Sequence, residues 1–523
     1  MNNSFLGILL GVVCLTGCVS LPKPSPEWSE RRRLDLENTS WARTLGPART
    51  EHPGLSGVKL LPHGLDALSA RLGLADTAER CLDVQYYIWR PDDAGRLLAE
   101  RLVRAADRGV QVRLLLDDIG GSASDEVLLA LDTHPNIEVR LFNPIANRSF
   151  RRLSGLFDFQ RVNRRMHNKS FTADRLVTIV GGRNVADHYY AAGDEPQFAD
   201  FDVLAAGPAA EDVAAMFDQY WYHPSSIPIS ALIGEPIAPG RQTELYASLA
   251  RHVQTITNSP DFKVLAGGDM GVRIRRHELD LHWGQTRLVY DRPEKITMDP
   301  KNTSTHLLPE LRAVVGDPTS ELLVVSPYFV PGSKGVDYFR SLRKRGVRVI
   351  VLSNSLAAND VAGVHAGYRR YRKALLLAGV EMWEIKPDAQ VRATARDDDR
   401  QRKSFSSSSS LHAKAFVYDR QTLFVGSLNL DPRSVSLNTE IGLVVQIPEL
   451  AAATVNRLEA KLAANAYRLE FVPGPGPCKE CGSIVWHSQE NGREVDYTHE
   501  PHASFSRRLL VGLLSLLPIE SQL

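Results

Sequence analysis

Five residues recur at identical offsets in two places along this chain. In HNKSFTADRLVTIVGGRN they are His167, Lys169, Asp174, Gly181 and Asn184; in HAKAFVYDRQTLFVGSLN they are His412, Lys414, Asp419, Gly426 and Asn429. Counted from the histidine, both sets fall at +2, +7, +14 and +17. At typical residue frequencies such a five-point match starts by chance at on the order of one in several million positions. Two in one chain describe a duplicated unit that brings two copies of one small site together. The pair RGVQVRLLL and RGVRVIVLS supports the duplication away from the motifs.

Residues i and i+2 share one face of a strand, so each copy offers an imidazole and an ammonium side by side. Both motifs read as hairpins, with strand-like text on either side of a turn at Asp174-Arg175 and at Asp419-Arg420. The glycines let a ligand approach the backbone. Paired, the copies place two imidazoles, two ammoniums and two carboxamides around one cavity, an inventory that suits a phosphodiester. His167, Lys169, His412 and Lys414 are the candidate catalytic residues. The lysines, with Asn184, Asn429 and Ser427, are expected to hold the non-bridging oxygens. One neutral imidazole is a competent nucleophile near pH 7, and the other, protonated, donates to the leaving alkoxide. No cofactor is expected, and no metal, because two ammoniums beside the imidazoles would repel one. Asp174 and Asp419 admit a catalytic and a structural reading. An aspartate at a tight turn commonly binds backbone, and the structural role is favoured.

These segments reproduce the HxKxxxxD signature in full, and over roughly residues 57 to 460 the chain resembles the phospholipase D superfamily. The resemblance implies an α/β fold of two phospholipase D-like repeats related by a pseudo-twofold axis. Each repeat is a mixed, mostly parallel sheet flanked by helices. It also implies that His167 is the nucleophile and His412 the general acid, later the base. A carboxylate downstream of each motif orients the imidazole in this family. The matches are Glu440 in SLNTEIG and Asp202 in FADFDVLAAG, where Asp200 competes. LDVQYYIW, NRRMHNKSFTAD, SPYFVP and GSLNLDPRSVSLNTE further resemble the bacterial cardiolipin synthase C group. That implies transfer of a phosphatidyl group onto phosphatidylglycerol, with phosphatidylethanolamine a second candidate donor and an accessory protein left open. The same first half-reaction serves a hydrolytic phospholipase D or a nuclease, which is the alternative. A non-catalytic lipoprotein is the third reading, disfavoured because both motifs are intact. With 62 basic and 61 acidic residues the chain has a formal charge of +1, so no nucleic acid partner is expected.

The length accommodates two α/β units. Strand text at 82–89, 110–118 and 137–142 alternates with helical text at 95–108 and 124–133; ELLVVSPYFV, a helix at 335–345 and VRVIVLSN restart the pattern. The expected organisation is a lipoprotein signal peptide over 1–17, a tether over 18–56, the first repeat over 57–230, a linker or lid over 231–284, the second repeat over 285–460 and a C-terminal extension over 461–523. The apolar run at 5–15 is too short to span a bilayer, and Leu15-Thr16-Gly17-Cys18 matches a lipobox, although the leader lacks Lys and Arg. Lipidation of Cys18 would anchor the chain in a bacterial envelope, facing the periplasm. Val19, rather than Asp, favours the outer over the inner membrane. Cys478 and Cys481 suggest a local disulfide, since no second pair completes a zinc site. Arginines at 148, 151, 152, 161, 164 and 165, and Arg369 to Lys373, are expected on a solvated face or against anionic headgroups. SFSSSSS at 404–410 reads as a flexible loop. The apolar tail, limited by Pro518, is expected to lie on the membrane or pack onto the body.

Overall fold

The computed structural model describes residues 20–29, 34–120, 123–148, 151, 158–190, 198–238, 240–258, 269–387, 410–475, 477–478, 481–518 and 520–522. In the first half, strands Cys81–Tyr86, Gln111–Asp117 and Ile137–Phe142 run parallel. Helices Asp93–Asp107 and Asp125–Asp132 connect them. Each helix begins where a side chain accepts an early N–H: Asp92 from Gly95, Ser124 from Val127. Gly109, at φ +92°, supplies the left-handed residue that stops the first helix. The hairpin Ser170–Ala173/Val177–Gly181 then adds antiparallel to Cys81–Tyr86, followed by Asp202–Ala206.

The second half repeats this order with Glu321–Val325, Arg348–Asn354 and Glu381–Ile385, the hairpin Ala415–Tyr418/Thr422–Gly426, and Ile441–Gln446. The registers coincide: Leu82 faces Ala173 as Leu322 faces Tyr418, each partner lying six residues after its motif histidine. Strand Ser56–Leu61 lies between Asp202–Ala206 and His282–Tyr290, and the latter pairs with Ile441–Gln446. Eighteen of the described strands thereby join into one mixed sheet, and Phe198–Ala199 pairs separately with Ser410–Leu411. Val180 and Val203 of the first half share a buried core with Val425 and Leu443 of the second. Two further cores lie within the separate halves.

Several segments depart from the expected organisation. Part of the presumed tether is a helix, Ser40–Glu51, because Trp41 is fully buried and its indole N–H donates to Thr77. Helices Arg241–Thr257 and Asp269–Arg275, between the repeats, pack on the helical layer of the first half. The C-terminal extension adds Ala466–Pro473, Gly482–Glu490 and Arg493–Tyr497 to the sheet beyond Glu381–Ile385. Its helix Phe505–Leu514 packs onto Ala362–Leu377. The arginine runs are divided: Arg165 and Arg372 are buried, binding Asp117 and the pair Glu384 and Glu500, and Arg148 and Arg151 bind Asp118 and Asp125, while Arg369 and Arg370 are exposed. Cys478 and Cys481 form a disulfide. Cys18, Arg152 and most of the serine-rich stretch lie outside the described residues. Among the described residues no helix is long and apolar enough to cross a membrane.

Candidate active site

Both hairpins turn through two residues at positive φ, Asp174-Arg175 at 49° and 58° and Asp419-Arg420 at 53° and 55°. That geometry matches the twist of paired strands. It also turns each carboxylate onto the start of the neighbouring parallel strand. Asp174 accepts the N–H groups of Glu79, Arg80 and Cys81. Asp419 accepts those of Thr319, Ser320 and Glu321, with two hydroxyls. Both aspartates are backbone clamps and touch neither imidazole.

His167 and Lys169 lie just ahead of their strand, as do His412 and Lys414, where the backbone bonds to the other half. The N–H of His167 donates to the Thr439 carbonyl at 2.9 Å, and that of His412 to the Ala199 carbonyl at 2.7 Å. Each imidazole then finds its carboxylate across the same boundary. Nδ1 of His167 stands 2.8 Å from Oε2 of Glu440, and Nδ1 of His412 stands 2.6 Å from Oδ2 of Asp200. Neither half holds a complete site. A carboxylate can only accept, so each Nδ1 carries the proton and each Nε2 keeps its lone pair.

Asp200, not Asp202, is therefore the partner of His412. Asp202 sits one strand register further on, opposite Gly181, and is fully buried between Arg71 and Arg183 at 2.9 and 3.3 Å. The second half carries Gly442 at that register, opposite Gly426, and its carboxylate two residues earlier. The matching text is thus DFDVLA against EIGLVV, which is the sequence signal that identifies Asp200.

Lys169 donates to the His167 carbonyl at 2.6 Å. Lys414 donates to the His412 carbonyl and stands 3.1 Å from Nε2 of that ring. Burial, then the charges of Lys169 and Lys414, hold the His167 imidazole well below its ordinary range. Lys414 and Asp200 act on His167 although they belong to the other motif and its carboxylate, so the two sets are near enough to interact electrostatically. His412 is pushed down to about 4, by burial and Lys414, with Asp200 opposing. Burial also lowers Lys169 to about 7 and Lys414 to about 8. The two carboxylates differ. Burial raises Glu440 to about 7 against the pull of Lys169. Burial acts upward on Asp200 too, but His412 and Lys414 hold it below the usual carboxylate range.

The remaining sequence candidates divide. Ser427 donates its hydroxyl to Glu440 and accepts the Ile441 N–H at 3.0 Å, so it orients a carboxylate rather than facing substrate. Asn184 is spent largely within the wall: its oxygen accepts the Ile88 N–H and its nitrogen donates to the Tyr189 hydroxyl at 2.7 Å. Asn429 is buried with its side-chain oxygen unpaired. Sequence reasoning did not single out Tyr87 and Tyr189, which meet His167 and His412 edge-on with ring centres 5.0 Å apart in each pair. Nor did it find the Asp117–Arg165 pair, whose carboxylate accepts the Met166 N–H and fixes the backbone before His167. Among the described residues no cluster of three or more histidine, cysteine, aspartate or glutamate side chains is placed to hold a metal ion.

The chain is similar to known proteins in sequence and in fold. The family model described as cardiolipin synthase, PLD-like domain, matches residues 72–221 and 311–462, more than half of the chain. Cardiolipin synthase C of Escherichia coli K12 is 43% identical over 482 residues, covering 91% of this chain and 98% of that protein. Cardiolipin synthase A of Pseudomonas putida is 25% identical over 423 residues, covering 80% and 71%. The crystal structure of phosphatidylserine synthase from Haemophilus influenzae superposes with a TM-score of 0.52 at 12% identity, covering 81% of this chain and 92% of that one, a likeness of fold alone. By its duplicated motifs, its reciprocal histidine–carboxylate pairs and these relatives, the chain belongs to the cardiolipin synthase, PLD-like family of phospholipase D-superfamily enzymes.

Proposed function

We propose that this enzyme transfers a phosphatidyl group onto phosphatidylglycerol, forming cardiolipin through a phosphohistidine on His167. The observation that carries this reading is the exchange of carboxylates between halves, which sets both imidazoles at the boundary between them and supports their acting on one phosphorus. Nε2 of His167 attacks that atom, the N–P bond forms and the bond to the leaving alcohol breaks. His412, protonated, returns a proton to the departing alkoxide. The acceptor hydroxyl then loses its proton to His412 and attacks, and the N–P bond breaks.

The unequal carboxylates support this division of labour. Burial raises Glu440 to about 7, so its carboxylate favours a second proton on His167 less strongly, and burial with the two lysine charges keeps that imidazole neutral and nucleophilic. His412 lies against the carboxyl that stays ionised, which favours carrying a proton. A bound phosphodiester adds negative charge beside Lys414 and raises His412 towards the range an acid needs. Lys169 and Lys414 neutralise the developing oxyanion charge.

Phosphatidylglycerol is the acceptor by analogy with the cardiolipin synthases, and either it or phosphatidylethanolamine serves as donor. Lipidation at Cys18 places the enzyme on the periplasmic face of a bacterial envelope membrane. Full-length protein mixed with phosphatidylglycerol vesicles should yield cardiolipin and glycerol, resolved by mass spectrometry. Phosphatidic acid without cardiolipin would replace transfer by hydrolysis.

A further inference from the structure

A membrane lipid must reach a pair of imidazoles that are each less than a tenth exposed, and the C-terminal tail bears on how. Helix Phe505–Leu514 uses one face for packing. Val511 is fully buried, in a small core with Leu356 and Ala366. The opposite face is bare: Phe505 is 74% exposed, Leu513 57% and Leu516 80%, with Leu509, Leu510 and Leu517 also exposed. Spacings of three and four residues place these side chains on a continuous stripe. Isolated exposed leucines are ordinary, but six large apolar side chains within thirteen residues form a patch of the kind that marks an interaction surface.

Three observations say what covers it. First, the border is basic. Arg508 lies in the same helix, and Arg369 reaches over Gly512, where an added Cβ would stand 4.0 Å from its guanidinium. Arg370 holds the helix end by donating to the carbonyls of Ser515 and Leu517. Second, the ten-residue helix is about 15 Å long at 1.5 Å per residue, half of what spanning requires, yet suited to lying in the headgroup region. Third, the tail borders the site from both sides. Arg507 donates to the Asn359 carbonyl; the neighbouring Asp360 binds the Tyr328 hydroxyl at 2.9 Å and acts on Lys414. At the other end Gln522 accepts from Asn163 at 2.7 Å, four residues before His167, and its carbonyl accepts from Arg433.

We propose that the tail helix docks flat on an anionic phospholipid bilayer, its Phe505–Leu517 stripe among the acyl chains and Arg369 and Arg508 at the phosphates, so that the reaction site faces the membrane. The proposal rests on the reading that the substrates are membrane phospholipids, and it is independent of any lipid on Cys18.

Hydrogen–deuterium exchange on the full chain tests it. Vesicles of phosphatidylglycerol should protect the amides of residues 505–517, and vesicles of phosphatidylcholine should protect them far less. The triple variant Leu509→Ser, Leu513→Ser, Leu516→Ser should lose that protection. Its contribution to vesicle partition should fall by about tenfold per leucine. Turnover of a monomeric short-chain phosphatidylglycerol should stay at the wild-type level. Unprotected tail amides on vesicles whose lipid is being turned over would overturn the proposal. So would protection that needs no vesicles and grows with protein concentration, which would assign the stripe to a second copy. Tail protection on vesicles without any phosphatidyl transfer would leave the docking intact and remove the proposed function instead.

Discussion

Replacing Asp200 with Asn removes one negative charge while nearly preserving shape. Its Oδ2 stands 2.6 Å from Nδ1 of His412, and both groups are buried. Taking the charge centres as roughly 4 Å apart and an effective dielectric of about 20, the imidazolium loses about 4 kcal/mol of stabilisation. That corresponds to about a thousandfold in any step that needs His412 to carry a proton. His412 is already pushed down to about 4 by burial and Lys414, so the variant has no reserve of basicity to draw on. Turnover of a natural phospholipid should therefore fall by about three orders of magnitude. A nitrophenyl phosphodiester, whose leaving group departs without a proton, should lose far less in the first half-reaction, and burst kinetics separate the two steps. Asp202→Asn is the control. It leaves Arg71 and Arg183 with an uncompensated buried contact and should cost about 3–5 kcal/mol of stability, seen in thermal unfolding rather than in a leaving-group effect. A folded Asp200→Asn enzyme within about tenfold of wild type on natural lipid would refute the role given to this pair.

Further outcomes are equally specific. Asp174→Ala strips the N–H groups of Glu79, Arg80 and Cys81 of their acceptor and should lower the unfolding midpoint by several degrees, at about 1–3 kcal/mol per donor left buried, while turnover per folded molecule is retained; a stable but inactive variant would make it catalytic. The lysines lie at about 7 and about 8, and only the charged forms bind a phosphodiester, so kcat/KM should decline as pH rises through this window; a profile flat to pH 9 would contradict their assignment. A chelator should leave turnover unchanged, and lost activity restored by a divalent cation would overturn metal-free catalysis. Cys18→Ser should abolish metabolic palmitate labelling, and persistent labelling would exclude the lipobox.

The hairpins and the parallel strands before them were readable because spacing survives duplication: Asp174 and Asp419 keep both the turn and the three backbone contacts. The partner carboxylate was harder. Asp200 and Asp202 are two residues apart, so strand periodicity cannot separate them, and the loop from Gly181 is five residues longer than that from Gly426. Only the register against Gly181 and Gly426 decides. Parts of the tether and of the arginine runs misled for a different reason. Trp41, Arg165 and Arg372 are buried by partners distant in sequence, and composition carries no record of such partners. Tyr87 and Tyr189 lacked counterparts in the second repeat, so the duplication that revealed the histidines left them unmarked.

In the proposed reaction His167 and His412 act on one phosphorus. A crystal structure of the enzyme with orthovanadate, an analogue of the five-coordinate phosphorus, tests this most directly. A single vanadium bonded to Nε2 of His167, with its opposite apical oxygen within about 2.6–3.2 Å of His412, is the predicted result. Separate vanadates on the two imidazoles, or one bonded to His412 with His167 out of reach, would contradict it.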